Sequence, residues 1–388
     1  MGDVFIVASK DDPLTSNAFE PGETLCDRYE ILNFHAAGGM QEVYRCFDKV
    51  LGRNVALKTP KRGVKDRRFR RGAEMGARVN HPNIATTFDY YEDNKITFLV
   101  EEFVEGTDLG KRLEHEFYFL DPSLGAHVVH HIAKALKEAH RVGICHRDLK
   151  PSNIMTSNDL SISKVKLTDF GIAKLAESEI EAEIEEFTKN ESTLTSSNTL
   201  LGAVPYMAPE CFDNWKTAGQ PMDIWALGCV AYHVLAGAPP FGSGTKAIYK
   251  VAELKHGKTN IEKPKCFGSH ASITHLEEGL WELIQSCIQV DPRARPTAVE
   301  IIQRCEALCY SDAARKLGVI QTFPTPLKTG GTGNYGFIRT EGGNQYFHGS
   351  DFFGPEKASP GRRVSFCVYP GFPDPRVSPV LLLKTENE

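Results

Sequence analysis

His146-Arg147-Asp148-Leu149-Lys150-Pro151-Ser152-Asn153 puts an imidazole, two cations, a carboxylate and an amide within eight residues. Twenty-one residues after Asp148 comes Asp169-Phe170-Gly171, and later Ala208-Pro209-Glu210. Upstream, Val55-Ala56-Leu57-Lys58 is an alternating, strand-like run that ends on a lysine. Any one of these short segments is weak evidence. Four of them in one chain, in this order, are specific.

The surrounding pattern changes character on either side of them. Residues 29–34, 42–47, 55–59, 86–91 and 96–100 read as short strands, with a first helix over 66–79. After Asp121 the apolar spacing becomes helical: Val128, Ile132, Ala135, Leu136 and Ala139 mark a helix over 127–141, and 281–290 and 297–308 behave likewise. A strand-rich lobe followed by a helical one is expected. Residues 1–28 read as a polar, turn-rich extension, with structure beginning at Tyr29. The Glu-then-Ser/Thr run between Leu175 and Leu200 is too polar to bury and reads as a mobile loop. Beyond Arg315 the chain turns Gly- and aromatic-rich, which predicts a further, strand-built domain after a linker over 309–315.

Composition sets limits on these readings. At 388 residues the chain exceeds what one core usually serves. Hydrophobic residues at 41% and charged residues at 24% exclude a disordered, collagen-like or disulfide-dense chain. A net charge of −5 forbids any nucleic-acid argument from overall basicity, although residues 313–388 alone carry nine Lys and Arg against six Asp and Glu. The ten cysteines include no C-x-x-C pair, and Cys305 and Cys309 fit successive turns of one helix, so reduced thiols are expected. No stretch approaches the ~18–20 apolar residues that span a bilayer, and the start lacks the sixth-position Ser/Thr of a myristoylation signal. A cytoplasmic protein with no membrane partner is expected.

Together the four segments resemble the protein-kinase family over about residues 29–308, and most closely the bacterial receptor-type serine/threonine kinases without their membrane anchor. The resemblance implies an α+β, bilobal kinase fold, with a small lobe over about 29–103 and a large lobe over about 104–308. It also implies transfer of the ATP γ-phosphate to Ser/Thr hydroxyls of a protein substrate, with Mg2+ or in its place Mn2+. Such transfer needs cations near the phosphates, oxygen ligands for the metal and a proton acceptor beside the hydroxyl. By resemblance Asp148 accepts that proton, Lys150 touches the γ-phosphate and favours Ser/Thr substrates, and Asn153 and Asp169 hold magnesium. Lys58 reaches the α/β-phosphates, Glu102 and Val104 occupy the hinge that binds adenine through backbone groups, and Ala56 and Met155 sandwich the base. Gly38, Gly39, Val43, Glu101 and Asp108 complete the implied nucleotide site. Arg295 resembles an architectural arginine that pairs with Glu210.

Several positions depart from the family pattern. The phosphate-covering loop reads Ala36-Ala37-Gly38-Gly39-Met40-Gln41-Glu42-Val43, and the Cβ atoms of Ala36 and Gln41 should weaken its grip on phosphate. The first-helix glutamate that normally pairs with the strand lysine is replaced by Gly72. Glu74 lies roughly 200° further around the helix, so it replaces that group only if the helix rotates or shifts register. With Gly76 also inside it, the helix is expected to be mobile. The usually hydrophobic gatekeeper position holds Glu101. A buried carboxylate needs a cation, and Lys58 has lost its usual partner, so the two are expected to pair; a one-residue slip in the alignment would instead leave Glu101 in solvent. The acidic and hydroxyl-rich loop and the cluster Lys61, Arg62, Lys65, Arg67, Arg68, Arg70 and Arg71 are expected to be two separately solvated charge runs, with docking of the loop on that cluster, phosphorylated or not, as the alternative. Ala203 stands where a threonine is usual. These departures favour the competing reading, a scaffold with a kinase fold and negligible turnover.

Residues 316–384 resemble a cold-shock domain, a five-stranded all-β OB-type barrel that binds single-stranded RNA or DNA. Gly318-Val319-Ile320-Gln321-Thr322-Phe323, Asn334-Tyr335-Gly336-Phe337-Ile338, Tyr346-Phe347-His348 and Gly361-Arg362-Arg363-Val364-Ser365-Phe366 carry that resemblance. It makes Tyr335, Phe337, Tyr346 and His348 the stacking residues. Thr322, Gly349 and Gly333 replace the usual tryptophan, phenylalanine and lysine, and the loop after Phe323 is enlarged. The alternative is a barrel that docks only on the kinase or on a protein partner.

Overall fold

The computed structural model describes residues 17–37, 41–61, 67–170, 202–214, 218–268, 270, 273–370 and 375–385. The chain divides into two compact units, one running to Ala77 and including Thr86–Phe103, the other comprising Arg78–Ala85 and everything from Val104 onward.

The first unit is an antiparallel sheet in the order β1-β2-β3-β4-β6-β5, built from β1 (Thr24–Leu25), β2 (Tyr29–Ala37), β3 (Gln41–Asp48), β4 (Arg53–Pro60), β5 (Thr87–Glu92) and β6 (Thr97–Glu102). Strand alternation sends Tyr44, Cys46, Val55, Leu57, Phe98 and Val100 into one apolar core. Order starts before Tyr29, contrary to the expectation from the polar composition of residues 1–28. Phe19 inserts into that core and packs edge-on against Tyr44 at 5.5 Å, and the Ala18 N–H donates to Glu42 at 2.9 Å. One buried aromatic is enough to tie down a polar strap. Helix α1 (Arg67–Gly76) ends at Gly76 rather than at residue 79. Its face at 69, 72, 73 and 76 is buried, and Phe69 and Ala73 pack on Leu99 of β6.

The second unit is helical at its centre. β7 (Thr107–Asp108) leads into α2 (Leu109–His115), and α3 (Pro122–Arg141) begins at Asp121, whose carboxylate accepts the N–H groups of Ser123 and Leu124. Pro122 at the first position suits that start. The short strands β8 (Ile154–Thr156) and β9 (Val165–Leu167) follow, then α4 (Pro209–Asn214), α5 (Gln220–Ala236), α6 (Thr245–Lys255), α7 (Thr274–Cys287) and α8 (Ala298–Ala307). Helix α5 is buried on almost every side from Met222 to Leu235. Arg295 forms a two-pronged ion pair with Glu210, at 2.6 and 2.8 Å. Among the described residues no helix is long and apolar enough to cross a membrane.

The same unit ends in a closed barrel of β10 (Lys316–Thr322), β13 (Tyr335–Thr340), β14 (Gly343–His348), β16 (Arg363–Tyr369) and β17 (Arg376–Leu382). Its order is β14-β13-β10-β16-β17, and a parallel pairing of Tyr346 with Arg376 closes the ring. The two-stranded β11 (Thr325–Pro326) and β12 (Thr332–Gly333) form the enlarged loop, and β15 (Phe352–Phe353) pairs with β17.

The barrel is bonded to the helical part at several points. Leu383 bridges to the fully buried Phe117. The Lys384 N–H donates to Glu116 O, and its ammonium donates to the Leu113 and Glu114 carbonyls at 3.0 and 2.8 Å. A cation thus serves carbonyls that the end of α2 leaves without intrahelical partners. Tyr118 packs on the barrel core, and the His270 ring stacks on Phe353 at 3.7 Å. Arg315, just before β10, pairs with the buried Asp121 carboxylate at 2.5 Å.

Candidate active site

The acid-bearing loop is shaped from beneath by Asp223, a carboxylate inside the apolar helix α5. It accepts the backbone N–H groups of His146 and Arg147, both at 2.8 Å, and a hydrogen bond from His140 at 2.8 Å. Burial by itself would raise its pKa. The hydrogen bonds from His140 and the Arg147 backbone outweigh burial and hold Asp223 ionised below the usual carboxylate range. Sequence reading passed over Asp223. Its signal was a lone acid within a run of apolar residues, which has no reason to be there unless it is hydrogen-bonded.

The support is needed because the loop is strained. Arg147 sits at φ 69° and Asp169 at φ 63°, in the left-handed region that residues with a Cβ adopt at a cost of about 1–3 kcal/mol. His146 links the two strained points. Its Nδ1 accepts the Asp148 N–H at 3.3 Å, so Nε2 carries the proton and donates to Thr168 O at 3.0 Å, while its ring meets Phe170 edge-on at 4.6 Å.

Asp148, Lys150 and Asn153 form one cluster. The Lys150 Nζ lies 2.8 Å from Asp148 Oδ2, and the Asn153 amide donates to the same oxygen at 2.9 Å and to Asp148 O at 2.8 Å. The Asp148 side chain is still about a quarter exposed, so it can meet an incoming group. The β8–β9 pairing, Ile154 opposite Leu167, closes the 21-residue gap in sequence. The Thr168 N–H donates to Asn153 O at 3.1 Å and extends that ladder to the residue before Asp169. A shallow hollow beside Asp148 is lined by Leu149, Ala203, Tyr206, Met207 and Met222. Asp108 caps α2 by accepting the Lys111 N–H, and it pairs in register with Met155. Val104 is buried and Met155 half-buried.

In the first unit, ladder register puts Val43, Lys58 and Leu99 in one row and Arg45, Ala56 and Glu101 two rows on. Directly opposed residues share a sheet face, so Lys58 and Glu101 are diagonal neighbours on the face away from the apolar core. Their charged ends meet at 2.6 Å, and both side chains are 6% exposed. The slipped alignment, with Glu101 in solvent, is excluded. Glu102 is only partly buried, and its carboxylate accepts the Thr86 N–H at 3.3 Å. Glu74 points outward and pairs with Arg70 at 3.1 Å, so α1 is not rotated to bring it inward. Gly38, Gly39 and the acidic and hydroxyl-rich segment lie outside the described residues, as do Arg62 and Lys65 of the basic cluster.

On the barrel, β13 and β14 pair Tyr335 with His348 and Phe337 with Tyr346. The rings of Tyr335, Phe337 and Tyr346 lie within 5.6–6.2 Å of one another, on the face opposite buried Ile338 and Phe347. His348 is adjacent and tied to Ser350 at 2.6 Å. A Cβ at Gly349 would run into the Asn334 amide oxygen, so a larger residue there requires the Asn334 side chain to move.

The profile of the family described as "Protein kinase domain" matches residues 29–305. The chain is 35% identical over 240 residues to the serine/threonine-protein kinase PrkC of Bacillus subtilis, covering 61% of this chain and 34% of that protein. It is 35% identical over 232 residues to a probable serine/threonine-protein kinase, pknA2, of Bifidobacterium longum, covering 58% and 28%. It thus spans about a third of the length of these relatives. Among solved structures, Rad53 1-466 in complex with AMP-PNP matches with a TM-score of 0.53 and 27% identity, over 71% of this chain and 64% of that one. With the motif order intact and more than half its length matched by the family's own profile, this chain belongs to the protein kinase family.

Proposed function

We propose that the protein is a serine/threonine protein kinase that uses ATP with Mg2+, or Mn2+ in its place, to phosphorylate hydroxyls of a protein substrate. The observation that carries this reading is the Asp148–Lys150–Asn153 cluster, hydrogen-bonded through the backbone to the segment bearing Asp169. The donor set suits the metal: Mg2+ bound together with phosphates takes one or two protein oxygens, and an Asp169 carboxylate with the Asn153 amide oxygen is such a pair. Asn153 turns its NH2 group to Asp148, so its amide oxygen would be the end that holds the metal. When bound, ATP and the metal supply the phosphoryl group and neutralise its charge. Asp148 orients and deprotonates the hydroxyl, Lys150 stabilises the phosphoryl oxygens, and Lys58 holds the α/β-phosphates. Lys58 is already held by Glu101, which favours turnover over the scaffold reading raised by Gly72. We place the protein in the cytoplasm, where its ten free cysteines stay reduced.

The test is γ-phosphate transfer from ATP by the purified chain, to itself and to a generic basic protein. Transfer is expected with Mg2+ and none with excess EDTA. Transfer that persists in EDTA, or none under any divalent cation, removes the reading.

We further propose that the barrel is of OB type and binds single-stranded nucleic acid. Its strand order and parallel closure support the OB reading, as does an aromatic cluster on the second and third barrel strands, the face OB folds use for oligonucleotides. Base stacking is worth about 1–3 kcal/mol per ring, so Phe337→Ala should weaken binding of a labelled single-stranded oligonucleotide by roughly 5–150-fold at low salt. Equal anisotropy titrations for wild type and variant would refute it.

A further inference from the structure

We infer that Glu101 is the positioning residue for Lys58, and that this role has moved from helix α1 to the sheet. The inference rests on the kinase reading above and deepens it. Three observations carry it. The inner face of α1 is Phe69, Gly72, Ala73 and Gly76, which offers no carboxylate to the sheet. The α1 acid Glu74 is 61% exposed and already engaged by Arg70. Glu101 is 5% exposed, on the strand hydrogen-bonded to the Lys58 strand, two rungs along the ladder and so on the same face, with its carboxylate 2.6 Å from the ammonium.

The location matters more than the pair itself. A partner on a helix packed by a few apolar contacts moves whenever that helix moves, so its lysine is aligned only part of the time. A partner on the neighbouring strand is fixed by the ladder Val55–Glu102, Ala56–Glu101, Leu57–Val100 and Lys58–Leu99. Lys58 is therefore aligned whatever α1 does, and nucleotide engagement is not gated by that helix. The interior Gly72 of α1 is then tolerable, because nothing catalytic is hung on that helix. Burial of the carboxylate beside Ala56 also means that a ligand reaching past that residue meets an ion pair, not an apolar wall.

The experiment compares wild type with Glu101→Gln, Glu101→Leu, Glu101→Leu combined with Gly72→Glu, and Glu74→Gln. It measures affinity for a fluorescent ATP analogue, kcat and KM for ATP, and the thermal midpoint. Glu101→Gln keeps shape and a hydrogen-bond acceptor but loses the charge, and is expected to weaken nucleotide affinity and kcat/KM by about tenfold or more at a near-native midpoint. In the double variant the acid returns to the buried face of α1. It is expected to recover most of what Glu101→Leu loses, a result that a merely structural Glu101 would not give. Glu74→Gln should match wild type. Glu101→Gln within twofold of wild type, or a folded double variant no better than Glu101→Leu, overturns the inference. The binding arm reads without turnover, so a chain that binds nucleotide but transfers no phosphate refutes the kinase reading and still tests the pair.

Discussion

Asp148→Ala is expected to lower the rate of phosphoryl transfer by about 10²–10⁴-fold, the usual worth of a positioned general base, while changing nucleotide affinity little. The structure adds a reason for the upper end of that range. Asp148 Oδ2 receives both the Lys150 ammonium and the Asn153 amide, so truncation removes the base, frees Lys150 and leaves Asn153 held only by the Asp148 backbone carbonyl. Asp148→Asn separates the two effects, because it keeps an oxygen for Lys150 but has no basicity. A single-turnover measurement at saturating ATP should find both variants slow, with Asp148→Asn no faster than a few per cent of wild type. A rate for Asp148→Ala within threefold of wild type would take the proton acceptor elsewhere and remove the site assignment.

The second large effect is on stability. Arg315→Ala leaves the Asp121 carboxylate, 0% exposed, without its cation, and breaking one side of a buried ion pair costs about 3–5 kcal/mol. Asp121 also caps α3, so the uncompensated charge sits at the start of the longest helix of the second unit. Urea unfolding should show a midpoint well below wild type. The pair Arg315→Met with Asp121→Asn, which removes both charges and keeps a capping oxygen, should recover most of the loss. A barrel joined to the helical part only by its covalent linker would instead lose less than about 0.5 kcal/mol in either variant, as surface substitutions do.

Much of the candidate site could be read from the chain because its parts lie in short contiguous segments. The alternating run ending at Lys58 predicted a strand, and the family resemblance put Glu101 at the gatekeeper position near that lysine. Alternation brought Tyr335, Phe337 and Tyr346 together. Helix α5 was not seen, since a helix buried all round has no polar stripe for periodicity to detect. The end of α1 came early because Gly76 stops it, and α7 began at Thr274, well before the apolar spacing marked it. Phe19 gave no signal because one aromatic in a polar stretch has no period.

The sequence by itself determined the family, the two-part catalytic pattern, the absence of an acid at Gly72 and the presence of one at Glu101, since these depend only on which residues occur at which spacing. Only the tertiary structure decided that Glu101 turns inward onto Lys58, that Asp223 braces a strained loop 76 residues away in the chain, and that Arg315 and Lys384 bind the barrel to the helices. Those facts are contacts between segments remote in sequence. Such contacts arise when burial forces each charged group to find a partner, and no local pattern names that partner in advance.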